Sequence, residues 1–334
     1  MKMANNNFAK DMRINLDEPR WDQSTFVGRL KYFFWVTDPR AVFKTNKQLD
    51  DAKELVALYK EGKEPEGTTE EQIWYAKKLT LSAFHPDTGE RQNVIGRMSF
   101  QVPGGMLITG CLLQFYRTSA AVVFWQWVNQ SFNALVNYTN RNAQASITNQ
   151  QIAVAYVSAT SSAVVTAIGL KTFLSKRTTS TLLQRFVPFA AVAAANMVNI
   201  PLMRQSELID GIAVFDENGK RVSESRYGAA KGISQVVFSR IAMATPGMLL
   251  TPVIMERLEK YRWMQRIKPA HVFIQTLIVG CFVIFTTPTA CAFFPQRCSI
   301  NLEKMRLVDS KKYEAIMTGY GDAPPKKLYF NKGL

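Results

Sequence analysis

The chain carries a series of long stretches with no Asp, Glu, Lys or Arg: Met98–Tyr116, Thr118–Asn140, Asn142–Leu170, Phe186–Met203, Ile241–Met255 and Pro269–Gln296. A bilayer core of ~30 Å takes ~20 apolar residues of helix to cross, and uncharged runs near that length are the signature of a spanning helix. The pattern predicts an all-α, polytopic membrane protein with about five transmembrane helices and a helical amino-terminal region outside the membrane. Function should then lie in what crosses the bilayer or binds within it.

A net charge of +15 on 334 residues raises the question of nucleic acid. The Lys and Arg are scattered between the uncharged runs and at both ends, without the basic-aromatic interleave of a nucleic-acid binder. Basic flanks on apolar runs are explained by anionic headgroups and topology, so lipid is the expected partner and nucleic acid is not. The four cysteines, Cys111, Cys281, Cys291 and Cys298, form no CxxC, so neither a metal site nor a disulfide framework is expected. The first residues, MKMANNNFAKDMRINLDEPRW, lack the apolar core of a secretory signal and the Arg/Ser-rich helix of a transit peptide.

Residues 1–96 read as a soluble helical region. Thr45 or Asn46 caps a helix with Leu49, Ala52, Val56 and Tyr59 on one face. Thr68-Thr69-Glu70-Glu71 reads as a capping box for a second helix, which stops at the turn His85-Pro86-Asp87-Thr88-Gly89-Glu90. Residues 97–296 read as the membrane domain, with helices near 101–124, 148–170, 184–203, 232–255 and 269–294, and 297–334 as a polar tail. The stretch 125–140 is left between an interfacial and a cavity-lining role. Five crossings put the termini on opposite sides. The basic connections after Lys171 and after Met255 would share a side with the amino terminus.

Several polar residues interrupt the apolar runs. Asn129, Asn133, Asn137 and Asn140 recur at helical spacing, which gathers carboxamides on one face. A carboxamide both donates and accepts without charge, which suits a small zwitterion; the competing reading is an interfacial helix with its polar face in water. Asn196 and Asn199 lie in an alanine-rich span and must find partners there, either a wet cavity or neighbouring helices. Arg204 and Arg240 are candidates for a substrate carboxylate, although Arg240 could equally snorkel to the interface. Pro201, Pro246, Pro252 and Pro288 mark places where freed backbone carbonyls and hinges could build a midplane site. His85 and Asp87 suggest a turn fixed against the membrane domain. The J-domain tripeptide His-Pro-Asp is matched there, but the chain enters the membrane where a J-domain needs another amphipathic helix. No nucleophile motif or phosphate loop accompanies these residues, so no catalytic residue, cofactor or enzyme activity is expected.

Together these strings resemble the sideroflexin family: Glu18-Pro19-Arg20-Trp21-Asp22-Gln23-Ser24-Thr25-Phe26, Thr37-Asp38-Pro39-Arg40, His85–Glu90, Asn129–Arg141, Arg185–Gln205 and the closing Tyr329–Leu334. The resemblance spans essentially the whole chain and points to the subgroup of the first and third vertebrate sideroflexins. It implies a multi-pass carrier of the mitochondrial inner membrane, amino terminus in the matrix, moving serine and other small neutral amino acids for one-carbon metabolism. Gly104-Gly105 departs from the family pattern. The family's substrate site does not transfer residue by residue, so the site residues above rest on polarity within the membrane. A scaffold or assembly factor for iron, haem or respiratory-chain proteins is the competing class, and an organic-acid carrier a third.

Overall fold

The computed structural model describes residues 13–85, 88–140, 148–177, 181–321 and 324–333. The amino-terminal region is set by local signals. Thr25 caps α1 (Phe26–Val36) by accepting from the Gly28 amide. Only glycine fits at 28, because a Cβ there would stand 1.9 Å from the Asp22 carbonyl oxygen. Thr45 forms a capping box with Gln48 at the start of α2 (Asn46–Glu61), and Gly62 ends it in the left-handed region at φ 76°. The box of α3 (Glu70–Ala83) is one residue later than expected: Thr69 pairs with Gln72, and the Thr68 hydroxyl turns back to the Pro65 carbonyl. Leu49, Ala52, Val56, Ile73, Trp74 and Leu79 close a core between α2 and α3.

The first expected membrane helix, 101–124, is two helices. α4 (Gln101–Gln114) stops, and α5 (Ser119–Thr139) starts behind Thr118, whose hydroxyl accepts from the Ala121 amide. Phe115 and Trp125 stack at 5.6 Å across the turn, and Arg117 is exposed there. An arginine in mid-bilayer is costly, and the turn brings it to the end of the bundle. After α6 (Asn149–Arg177) and the short α7 (Thr181–Arg185) come α8 (Val187–Met203) and α9 (Gln205–Asp210). Strands β1 (Ile212–Phe215) and β2 (Arg221–Ser225) precede the long α10 (Arg226–Leu258). The chain ends through α11 (Arg262–Arg266), α12 (His271–Ala292), β3 (Arg297–Asn301), α13 (Leu302–Met305), α14 (Ser310–Tyr320) and β4 (Lys327–Asn331). Among the described residues, four helices are long and apolar enough to cross a membrane: Asn149–Lys176, Leu183–Met203, Arg226–Leu258 and Lys268–Ala292.

Side-chain neighbours fix the directions of the bundle helices. Gly104 of α4 meets Phe132 of α5, and Gly110 meets Thr276 of α12. A Cβ at Gly110 would stand 2.4 Å from the Thr276 hydroxyl and 3.0 Å from its Cα, so α4 and α12 approach as closely as a missing side chain allows. Ser131 shares a 2.9 Å hydrogen bond with Tyr156, and Lys171 donates to the Arg117 carbonyl. Ile200 packs with Ile233 and Val236, and Gly247 faces Phe282. Each helix therefore runs antiparallel to the next, through α4, α5, α6, α8, α10 and α12. The turn at 115–118, the connection near Arg185 and the connection 259–270 all lie at one end of the bundle, the far end. The amino-terminal region, the strands and the tail lie at the other, the near end. In the bundle the α4–α5 hairpin therefore puts the amino-terminal region and the tail at one end and the basic connections at the other, whereas an odd number of crossings would put the two termini at opposite ends.

The tail is folded, contrary to the expectation of a polar extension. β1–β4 form an antiparallel sheet in the order β2-β1-β4-β3, with Cys298, Ile300, Leu328 and Phe330 turned into a core with Leu302, Met305 and Ile316. Asp309, buried at 1% side-chain exposure, ties this unit to α10 through Arg226. Burial alone would raise the Asp309 carboxyl, but hydrogen bonds from the Arg226 side chain and backbone hold it below its usual value. The amino-terminal region is not wholly detached from the bundle either. Phe26 stacks on Phe293 and Phe34 meets Phe285 edge to face, so α1 lies along the end of α12 with Phe26, Val27 and Phe34 exposed.

Candidate functional site

The expected proline breaks are not where the chain breaks. Pro201 lies inside α8, Pro246 and Pro252 inside α10 and Pro288 inside α12, and each helix continues through them. The breaks fall at 115–118 and beside Arg185–Phe186. What proline does leave is an unclaimed carbonyl one turn earlier in each helix.

The polar residues of the bundle divide by how well they are satisfied. Asn140 is fully used: its amide donates to the carbonyls of Gly96 and Val136, and its oxygen accepts from Gln92, all at 2.9 Å. It fastens the end of α5 to the loop before α4. About three to four turns further in, the same helix buries Gln126, Asn129 and Gln130 at 1%, 8% and 3% exposure. The Gln126 Oε1 and Asn129 Nδ2 find no hydrogen-bond partner. Asn133 and Asn137 are half-buried beside them.

Register carries this layer across the bundle. Val122 packs with Val187 and Ala191, so Asn129 and Gln130 are level with Asn196 on α8. Val192 packs with Met248 and Ala244, and Ile200 with Ile233, which brings Ser239 and Arg240 of α10 to the depth of Asn196. Gly105 faces Val283, which sets Gln101 level with Thr286. The side chains of Gln101 (Nε2), Ser239 and Thr286 are also buried without partners. Counting 1.5 Å per residue, Asn129, Asn196 and Thr286 lie roughly 9–15 Å in from the near ends of α5, α8 and α12, and Gln126 about 20 Å in. A buried polar group without a partner costs about 1–3 kcal/mol, so this run of orphaned groups through the near half and middle of the bundle marks a place where something else supplies the partners; Thr251 and Thr276, nearer the far end, are orphaned as well.

Other expected residues are placed elsewhere. Asn199 is buried at 7% exposure one turn nearer the end than Asn196. Arg204 is already engaged: it clamps both oxygens of Glu207 at 2.9 and 2.5 Å and donates to the Lys332 carbonyl at 2.8 Å. His85 shapes the turn after α3, its backbone amide donating to the Glu90 carbonyl and its Nδ1 accepting from the Thr88 amide. It lies in the amino-terminal region, apart from the layer, and Asp87 lies outside the described residues. Among the described residues, no three His, Cys, Asp or Glu side chains converge as metal ligands would. Gln101, Gln126, Gln130 and Ser239 were missed in the sequence. Gln126 and Gln130 flank Asn129 and Gln101 lies near the start of another uncharged run, and their polarity was the available signal.

The architecture is that of a polytopic helical membrane protein with a polar layer in one half of its bundle. The chain belongs to the sideroflexin family, whose profile it matches over residues 15–334. It is 57% identical to sideroflexin-2 of Bos taurus and 57% identical to sideroflexin-2 of Drosophila melanogaster. It is 54% identical to sideroflexin-1 of Ovis aries. Each match covers 96% of this chain and 98% of the relative. Identity is higher to these sideroflexin-2 chains than to sideroflexin-1, so the resemblance to the first and third subgroup gives way. No solved structure matches the chain.

Proposed function

We propose that this protein is a non-enzymatic carrier of the mitochondrial inner membrane that moves serine and other small neutral amino acids by alternating access. The observation that carries the reading is the layer of uncharged, partnerless polar groups at Gln101, Gln126, Asn129, Ser239 and Thr286, with Asn196 level with Asn129. Carboxamides and hydroxyls offer acceptors to an ammonium and donors to a carboxylate or hydroxyl. A scaffold gains nothing from leaving such groups unsatisfied in a membrane.

In this reading Asn133, Asn137, Asn196 and Asn199 line the route from the near end, and the proline-bearing helices α8, α10 and α12 flex around it. The near end, with the amino terminus, faces the matrix. The test is uptake of labelled L-serine by the purified protein in liposomes, with unlabelled alanine, cysteine, D-serine and citrate as competitors. Saturable uptake suppressed by the neutral amino acids and not by citrate is the expected result. Folded protein that takes up no more than empty liposomes overturns the reading.

A further inference from the structure

The near mouth of the bundle holds a buried cation that the fold has not neutralised. Lys332 follows β4 and is 2% exposed. Its backbone is fixed on both sides: the amide donates to the Gln296 carbonyl at 2.8 Å, and the carbonyl accepts from Arg204 at 2.8 Å. Its Cα lies against Gly232 of α10, 3.8 Å from where a Cβ would stand. The ammonium group has three hydrogens to place. Its recorded partners are the Phe294 carbonyl at 3.5 Å and the Phe294 ring at 5.8 Å.

The charges around it repel rather than balance it. Arg29 and Arg204 both act unfavourably on the ammonium, whose pKa is pushed down chiefly by burial. Arg29 spends its own donors on the carbonyls of Ala292, Gln23 and Ser24. Arg204 spends its donors on Glu207 and on the tail. Arg240 of α10 and Lys332 both lie within electrostatic reach of the Cys291 thiol at the end of α12. Gln296, whose backbone carbonyl accepts from the Lys332 amide, buries its own Nε2 with no acceptor. Burying a charge without a partner is costly. Lys332, Arg240 and the idle Gln296 amide leave a surplus of donors and positive charge in this part of the fold, with no carboxylate paired to Lys332 among the described residues.

We propose that Lys332, with Arg240 and the Gln296 amide, forms a receiving site for a carboxylate at the near edge of the polar layer, with Arg240 at the depth of Asn196. The ligand class is a small monocarboxylate, and for the carrier proposed above it is the carboxylate of the transported amino acid. The ammonium and hydroxyl of that amino acid would then reach toward Asn196, Ser239 and Thr286. Arg204, expected to hold the carboxylate itself, instead pins the tail that delivers Lys332. A carboxylate between Lys332 and Arg240 would turn an uncompensated buried charge into a charge-assisted pair, the stronger kind of hydrogen bond.

The inference rests on the carrier reading for its ligand, and two measurements separate the failure of one from the failure of the other. The first is amine labelling of the full-length wild-type protein in detergent, read at Lys332 by mass spectrometry. Serine and lactate should each slow labelling of Lys332 at least threefold, while serinol, which lacks the carboxylate, should not. Labelling unaffected by either carboxylate overturns the site whatever the transport result. The second is serine uptake in liposomes by Lys332→Met and Lys332→Arg. The Met variant should raise KM at least tenfold with the maximal rate within about twofold, and the Arg variant should recover most of the loss. A folded Met variant with wild-type KM overturns the site and leaves the carrier standing.

Discussion

The amino-terminal region and the near half of the bundle bury polar groups in opposite ways. In the amino-terminal region Asp38 and Lys78, 11% and 10% exposed, face each other. Asp38 also accepts from the Arg40 amide and side chain. Lys60 pairs with Asp17, Arg91 with Asp50 and Arg13 with Glu64. In the bundle, Gln126, Asn129, Ser239 and Thr286 are buried with atoms left over. One protein has solved the burial problem by pairing in one region and left it open in another. Satisfied groups hold a structure in one state, and unsatisfied ones are suited to partners that arrive and leave.

The largest effect that could break this contrast is expected at Lys78. Lys78→Met should destabilise the amino-terminal region by about 1–3 kcal/mol, because it removes one of the two cations from a buried carboxylate that Arg40 still holds, measured as the thermal midpoint of the purified protein. The double variant Asp38→Leu/Lys78→Met should recover most of that loss, less about 1 kcal/mol for the backbone cap. The same pair predicts acid sensitivity. Burial alone would raise the Asp38 carboxyl, but hydrogen bonds from Arg40 and Lys78 hold it well below the usual carboxylate range. A depressed folded pKa contributes stability that is present above the unfolded value and lost as pH falls toward the folded one. The thermal midpoint should therefore be flat down to about pH 5 and decline below about pH 4; in Lys78→Met the share of that decline due to Asp38 should shrink.

In the bundle the expectation reverses. Asn129→Leu should change stability by less than about 1 kcal/mol, or raise it, since it removes an unsatisfied group, while lowering serine uptake at least tenfold at equal membrane abundance. A strongly destabilised Asn129→Leu would make the layer structural glue and erase the contrast. The smallest effect is expected at the surface: Lys60→Met should cost less than about 1 kcal/mol, the range of exposed ion pairs.

Much of the local structure was legible, because it depends on neighbours in sequence. The helices α2 and α3, the cap at Thr45 and the turn after His85 all follow from residues within one or two turns of each other. The hairpin at 115–118 was not, because the usual turn markers Gly and Pro are absent there; the signal was a Thr-Ser cap behind an arginine that a membrane helix could not afford to centre. The sheet was written in strict alternation at Cys298/Ile300 and Leu328/Phe330, yet each strand is only five residues long, and β4 also pairs with β1, more than a hundred residues earlier. The polar layer was half legible: Asn129, Asn133, Asn137 and Asn196 stand out in uncharged runs, and Arg240 at the edge of one. Lys332 could not be found that way, since its burial depends on Gly232, Gln296 and Arg204, all distant in sequence.

The placement of β4 between β1 and β3 has a consequence for how the chain is made. β1 and β2 leave the ribosome about a hundred residues before 327–331, so the sheet lacks β4 until that strand emerges. Until then β1 and β3 each present an open edge, a template for the wrong partner. Chains halted before residue 327 would keep their membrane helices and lose the middle of the sheet. Quality control that reads exposed strand edges would discard such copies without testing transport.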